Sequence, residues 1–181
     1  MKKLLKGIIW LIVILVVVFA AGGYLLPSEA VVQRSITINA PPDRVFAVVG
    51  HMKRFNQWSP WADLDPAAKY TFEGPDSGVG QKMSWASDNP DVGVGSQTIV
   101  EAVENSGTVT ELDLGQMGKA RASINLAASG AGTAVTWGFK TTLNSAMERW
   151  FGLLFDRWIG ADYEKGLGRL KALVEKEAGS G

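Results

Sequence analysis

The chain has 181 residues, with 18 basic and 18 acidic side chains, one histidine and no cysteine. Setting aside the three lysines near the N-terminus leaves 15 basic against 18 acidic residues, a net charge of −3, which argues against nucleic acid and anionic headgroups as electrostatic partners. The lack of cysteine excludes a disulfide framework, so the folded part must depend on its own core, which about 150 residues can supply in a single domain.

An uncharged run of 20 residues, 7–26, lies near the start of the chain. As a helix it is roughly 30 Å long, which matches the hydrocarbon core of a bilayer. Lysines precede the run and the first charge after it is Glu29, so we predict a single-pass anchor in the cell membrane with an extracytoplasmic domain, periplasmic in a Gram-negative cell. A cleaved signal peptide, processed near the small residues 20–23, is the alternative. The apolar character resumes at Tyr24, which favours the retained anchor.

The domain itself begins with one strand and two short helices. Residues 31–39 are β-branched and alternate in polarity, which predicts a strand. Ala40-Pro41-Pro42 ends it, and because proline is favoured in the first turn of a helix, we predict a short helix that runs to about Gly50. A second short helix is predicted over residues 53–58.

Six further strands are predicted after Lys69, where short alternating segments are separated by Gly, Asn, Asp and Pro. They cover residues 70–73, 81–86, 96–104, 108–114, 120–128 and 133–142. One parity of these segments is apolar, as in Trp137 and Phe139, whereas the other carries charges such as Glu111 and Arg121. One face of the sheet should therefore look inward and the other outward.

A long C-terminal helix completes the domain. Ser145 and Glu148 have the spacing of a capping box, which predicts its start. After it, apolar residues recur every three or four positions and predict one buried face: Ile159, Tyr163, Leu167, Leu170 and Val174. The predicted organisation is therefore an anchor or signal segment over residues 1–27, one domain over 28–177 and a disordered tail over 178–181.

Four stretches of the chain, taken with the order of its elements, resemble a known superfamily. They are Arg34 to Pro42 with Val45-Phe46, then Trp58-Ser59-Pro60-Trp61, then the glycine pairs Gly78/Gly80 and Gly93/Gly95, and last Ile159 to Leu167. Over about residues 31 to 176 the chain resembles the START-like or Bet v 1-like (SRPBCC) superfamily, in particular its bacterial polyketide cyclase/dehydrase and lipid-transport branch.

The resemblance implies an α+β helix-grip fold: a curved antiparallel sheet of about seven strands around a long C-terminal helix, here preceded by one transmembrane helix. It also implies an apolar cavity open at one end. Similar members bind lipids, sterols or polyketides, and a minority catalyse cyclisation or dehydration. Since one fold carries several activities, the resemblance leaves the function open.

Aromatic residues are the strongest functional signal, because the chain has seven tryptophans. Some fall on the inward parity of strands and others near the predicted cavity mouth, although core packing is the simpler explanation for any one of them alone. The residues that we predict to bind an apolar ligand are Trp61, Met83, Trp85, Trp137, Phe139, Phe155, Trp158 and Tyr163. The apolar run 150–155 is predicted to lie under a lid or against the bilayer.

Candidates for catalysis are few. Glu101 shares parity with Ile99 and points inward unless a β-bulge intervenes, and His51 lies where the first short helix of the domain ends. One histidine without cysteine makes a poor zinc site, and no Gly-x-Ser-x-Gly motif occurs, so we predict no metal and no cofactor. The leading hypothesis is a membrane-anchored extracytoplasmic module that binds a hydrophobic small molecule or lipid. The alternatives are a cyclase/dehydrase-type enzyme with a hydrophobic substrate and a ligand-free interaction domain, and the oligomeric state is left open.

Overall fold

A computed structural model describes residues 2–179 of the chain. The described residues form three α-helices, namely α1 (Lys2–Leu25), α2 (Pro42–Val49) and α3 (Ala146–Ala178), and two short 3₁₀ helices, Met52–Gln57 and Gly115–Met117. They also form seven strands: β1 (Glu29–Ile38), β2 (Lys69–Glu73), β3 (Lys82–Ala86), β4 (Val94–Val103), β5 (Gly107–Asp113), β6 (Lys119–Ser129) and β7 (Gly132–Thr142). Each predicted element is present, and its ends differ from the prediction by a few residues.

The strands build one antiparallel sheet in the order β1-β7-β6-β5-β4-β3-β2. The chain pairs its first strand with its last, whereas β2 forms the opposite edge. α2 and the first 3₁₀ helix connect these two edges, and α3 packs chiefly on β1. This arrangement confirms the predicted helix-grip fold.

The main core lies between the sheet and α3. On the helix, Tyr163, Leu167, Leu170 and Val174 are buried as the sequence pattern predicts, while Ile159 is half-buried against them. The sheet contributes inward residues of β1 and β7, of which Val135 is completely buried. Burying each such aliphatic side chain contributes about 1.5–3 kcal/mol.

The predicted capping box starts α3. The Ser145 hydroxyl accepts a hydrogen bond from the Glu148 amide at 3.2 Å, and the Glu148 carboxylate accepts from the Ser145 amide at 3.4 Å and the Asn144 amide at 2.6 Å. These bonds lower the pKa of Glu148. α3 then continues to Ala178, with Gly179 as its C-cap. Disorder was predicted over residues 178–181. Of these, Ala178 is the last residue of the helix and Gly179 is its C-cap, while residues 180 and 181 lie outside the described part.

Arg34 joins β1 to α3. Its guanidinium donates to the Asp156 carboxylate at 2.8 Å, to the Glu164 carboxylate at 2.7 Å and to the Asp156 carbonyl at 3.0 Å. Gly160 leaves room for this group, because a Cβ at that position would overlap the guanidinium. The hydrogen bonds from Arg34 lower the pKa of Asp156 below its ordinary value of 3.8.

Acid is expected to weaken this contact between strand and helix. Because the pKa of Asp156 is lower in the folded than in the unfolded chain, its stabilisation is complete above the unfolded pKa and is lost as the pH falls through the folded pKa. The midpoint of thermal unfolding should therefore hold between about pH 7 and 5 and decline below about pH 4. Asp156→Asn should lower the midpoint at pH 7 and flatten the acidic decline; an unchanged decline would assign the effect to other carboxylates.

α1 has the length and composition of a membrane span. Within Lys3–Leu25 an 18-residue window reaches a mean hydropathy of 2.8, and in the described part of the chain this is the one helix of that kind. Most of its side chains are exposed, while residues near its C-terminal end contact α3. A signal sequence has the same composition, so these features alone are compatible with an anchor and with a cleaved segment.

Candidate functional site

A cavity of about 60 Å³ lies between the inner face of the sheet and the segment that follows α2. The strand register builds one wall, because β4 pairs Ile99 with Thr110 of β5, and β5 pairs Thr108 with Ile124 of β6. Since side chains alternate along a strand, these residues share the inner face and line the cavity. The opposite wall comes from the end of α2 and the first 3₁₀ helix.

Four aromatic rings close one side of the cavity. Trp137 of β7 stacks on Tyr163 of α3, with ring centroids 3.8 Å apart and an angle of 9° between the planes. Trp58 and Trp61 meet the Trp137 ring edge-on at 4.9 and 5.9 Å. Gly166 permits this packing, because a Cβ there would lie 2.7 Å from the Trp137 ring. The rings fill most of the interior, so the cavity is far smaller than the ~300–1,000 Å³ of typical ligand sites.

Three buried polar atoms without a hydrogen-bond partner belong to residues that line this cavity. Among the described residues they are His51 Nδ1, Trp58 Nε1 and Gln97 Nε2, and the Trp58 and Gln97 residues are only 1% and 6% exposed. Native proteins pair nearly all such atoms, and an unpaired buried donor costs about 1–3 kcal/mol. Because an indole N–H and an amide N–H both donate, the wall is suited to an acceptor such as an oxygen atom inside the cavity.

Gln81 holds His51 in position. Its amide oxygen accepts from the Met52 amide at 3.0 Å, and its amide nitrogen donates to the Gly50 carbonyl at 2.8 Å and the Gly78 carbonyl at 3.0 Å. The backbone on both sides of His51 is therefore tied to the loop before β3. Gln81 therefore has a structural role. Gln97 is also buried, but its amide N–H has no partner, so it is a candidate for binding a ligand.

Three of the eight predicted ligand-binding residues line the cavity: Trp61, Trp137 and Tyr163. Trp61 is held by its indole N–H, which donates to Asp162 at 3.2 Å. Burial raises the pKa of the Tyr163 hydroxyl, so that group is neutral at physiological pH.

The other five residues lie elsewhere. Met83 belongs to a second buried cluster with Met52 and Ile99, and Trp85 donates to the Val92 carbonyl at the far end of the sheet. Phe139 and Phe155 pack edge-to-face on one another, and Trp158 is 51% exposed.

The two candidate catalytic residues have different outcomes. The register shifts at a β-bulge between Ile99 and Glu101, and this turns the Glu101 side chain to solvent. The inward orientation predicted for Glu101 is therefore wrong, whereas His51 does line the cavity. No carboxylate accompanies it among the described residues lining the cavity, and no three His, Asp or Glu side chains in the described part are grouped to hold a metal ion.

The fold and the cavity define the class of helix-grip proteins, in which a curved sheet and a C-terminal helix enclose an apolar site. Residues 29–175 match the family model described as polyketide cyclase / dehydrase and lipid transport. The chain belongs to this family, which confirms the resemblance seen in the sequence. No curated protein matches the chain at a significant level.

Solved structures share the fold at low sequence identity. A protein of unknown function from Staphylococcus aureus has a TM-score of 0.65 and 11% identity, covering 83% of this chain and 96% of that one. The di-domain ARO/CYC StfQ from the steffimycin biosynthetic pathway has a TM-score of 0.61 and 12% identity, covering 83% of this chain and 52% of that one. The Aha1 dimer from Colwellia psychrerythraea has a TM-score of 0.55 and 15% identity, with 80% and 96% covered. These similarities establish the fold.

Proposed function

We propose that this protein is a membrane-anchored, extracytoplasmic module that binds a hydrophobic small molecule or lipid through an oxygen atom of that ligand. The observation that carries the proposal is the cavity, whose wall is largely aromatic and aliphatic and yet contains the unpaired N–H groups of Trp58 and Gln97. Apolar walls with a few converging polar groups are typical of ligand sites. The family description, which includes lipid transport, supports the same ligand class.

The size of the cavity limits what it accepts in this conformation. A volume of about 60 Å³ accommodates only a small part of a lipid or similar ligand, so the rest can be bound only if the wall opens. Residues 52–65 form the wall that could open without separating strands, because they consist of a 3₁₀ helix and turns rather than sheet. Arg169 holds this segment to α3 by donating to the Ser59 carbonyl at 2.9 Å and by an ion pair with Asp63. Ligand entry then requires that these contacts open.

The contact between α1 and the domain supports a retained anchor. The Arg149 guanidinium donates to the Tyr24 carbonyl at 3.0 Å and to the Leu26 carbonyl at 3.3 Å, at the end of α1 where carbonyls lack helical partners. Cleavage near residues 20–23 would leave these two bonds in place but would remove Phe19, whose ring stacks on Trp150 and whose carbonyl accepts from the Trp150 indole N–H at 3.1 Å. The lysines before the apolar run favour a cytoplasmic N-terminus, which puts the domain outside.

The test is to purify the full-length chain from membranes in mild detergent and to identify bound compounds by mass spectrometry. Wild-type protein should carry an oxygen-containing lipid or hydrophobic compound at close to one equivalent. Gln97→Leu should reduce its affinity about five- to tenfold, because one hydrogen bond of about 1 kcal/mol is lost, while the empty protein unfolds at the same temperature or higher. Gln33→Leu, the same change on an exposed position of β1, is the matched control.

Either of two results would contradict the proposal. Native protein that carries no compound and accepts none when mixed with a membrane lipid extract would indicate a filled core and a ligand-free interaction domain. Equal affinity of wild type and Gln97→Leu for the bound compound would show that the Gln97 amide takes no part in binding.

A second candidate function, a cyclase/dehydrase-type enzyme, is favoured by the position of His51 in the cavity wall. Imidazole is the side chain best suited to acid–base chemistry near neutral pH. The same purification distinguishes the two functions. An enzyme would carry a different compound, its unconverted substrate, in His51→Gln, whereas a binding module would carry the same compound in both proteins.

A further inference from the structure

The first three turns of α3 carry an exposed apolar stripe. Met147, Phe151, Leu154 and Trp158, here called the α3 stripe, are 54%, 50%, 41% and 51% exposed. Their spacing of four, three and four residues places them on one face of the helix. The same face continues into Lys165, which is exposed and charged. The apolar surface is thus confined to the start of the helix, which marks an interaction site rather than scattered surface residues.

α1 packs on α3 beside this stripe. The Phe19 and Trp150 rings stack with centroids 5.3 Å apart, and the Trp150 indole N–H donates to the Phe19 carbonyl at 3.1 Å. Gly23 allows the close approach, because a Cβ there would lie 2.9 Å from the Ala146 Cα. Ala146 and Trp150 therefore mark the face of α3 that meets α1. With 3.6 residues per turn, the α3 stripe lies about a quarter-turn round the helix from that face.

The contact places the start of α3 at the level of lipid. Phe19 belongs to the uncharged run and precedes its last residue, Leu26, by seven positions, or about 10 Å of helix. When α1 spans a bilayer, Trp150 lies at most about 10 Å below the boundary between headgroups and acyl chains, close to the region where tryptophan is enriched in membrane proteins. The neighbouring α3 stripe then faces the same layer.

We propose that the α3 stripe is a second membrane contact, lying in the headgroup–acyl boundary of the outer leaflet next to α1. This proposal rests on α1 being a membrane span, and it is independent of what the cavity binds. The partner is a lipid surface, since the stripe lies beside the contact with an apolar helix whose side chains are mostly exposed. An amphipathic helix segment of this kind buries its apolar face about 5–10 Å into the boundary.

The absence of cysteine from the sequence gives a direct test. Leu154→Cys and Lys165→Cys, made separately in the full-length chain, each carry one nitroxide label after reconstitution into phosphatidylethanolamine/phosphatidylglycerol vesicles. Collision with oxygen, which concentrates in acyl chains, and with a water-soluble nickel chelate is measured by electron paramagnetic resonance. The ratio of oxygen to nickel accessibility should be several-fold higher at position 154 than at position 165.

The control position lies on the same face of the same helix, beyond the end of the stripe. A label at 154 with the accessibility ratio of the label at 165 would show that the stripe faces water and would overturn the proposal. A label at 154 that meets neither reagent would show a protein partner or second copy and would also overturn it. Circular dichroism checks that both variants fold. Bound ligand, measured separately, reports on the cavity, so failure of one proposal is distinguishable from failure of the other.

Discussion

Replacement of Trp137 by alanine should lower the free energy of unfolding by about 3–5 kcal/mol. Trp137 is 3% exposed and contacts Tyr163, Trp58 and Trp61 at once, so its removal leaves a void where strand β7, helix α3 and the segment after α2 meet. For a domain of this size the thermal midpoint should fall by roughly 10 °C. Thermal unfolding followed by near-ultraviolet circular dichroism measures the change.

Trp158→Ala is the matched control for this substitution. It removes the same side chain from a half-exposed site, so in detergent the free energy of unfolding should change by about 1 kcal/mol or less, well below the loss in Trp137→Ala. Added indole should partly restore the stability of Trp137→Ala by filling the void, and should leave Trp158→Ala unchanged. A loss below about 1 kcal/mol in Trp137→Ala would mean that the aromatic cluster is not a core of the domain.

Gly107→Ala should cost at least about 3 kcal/mol of folding free energy. Gly107 has a φ of +145°, and a Cβ there would collide with the Ile124 carbonyl oxygen on β6. Both obstacles lie in the backbone, so no side chain can move aside. The substitution should separate β5 from β6 next to Thr108, a residue of the cavity wall. Urea unfolding of the full-length protein in detergent measures the loss.

Gly130→Ala separates the cost of a positive φ from the cost of the collision with β6. Gly130 has a φ of +59° and no atom within 4 Å of an added Cβ, so only the conformational cost of about 1 kcal/mol is expected. Similar losses in the two variants would show that the approach of β6 does not constrain Gly107.

The fold was predictable because its signals are local. Alternation of polarity identified every strand, and Ser145 with Glu148 marked the start of α3 to the residue. The apolar stripe of the C-terminal helix correctly named the residues that face the sheet. The ends of strands were less exact, because pairing with a neighbour extends or shortens a strand by residues whose own pattern is neutral.

The cavity was only partly predictable, because it depends on how distant segments meet. Trp137 and Tyr163 were recognised as inward, but only the folded chain shows that they stack and leave a small space. The bulge before Glu101 reverses the expected orientation, and a bulge has no strong signal in a single sequence. Gln97 was not among the predicted ligand-binding residues. It shares the inward parity of Ile99, and a polar residue at an inward position is the pattern that could have identified it. That its N–H lacks a partner can be seen only in three dimensions.

The short connection between α1 and β1 has a consequence for how ligand could travel. Residues 26–28 separate the two elements and span at most about 10 Å, and Arg149 and Trp150 fasten the last helix to α1 as well. A body fixed at two points cannot swing, and so cannot ferry cargo between two membranes. If α1 spans the membrane and the cavity binds lipid as proposed, the ligand would have to reach the domain from the adjacent leaflet or on a diffusing carrier, and transfer would take place at a fixed distance from the membrane.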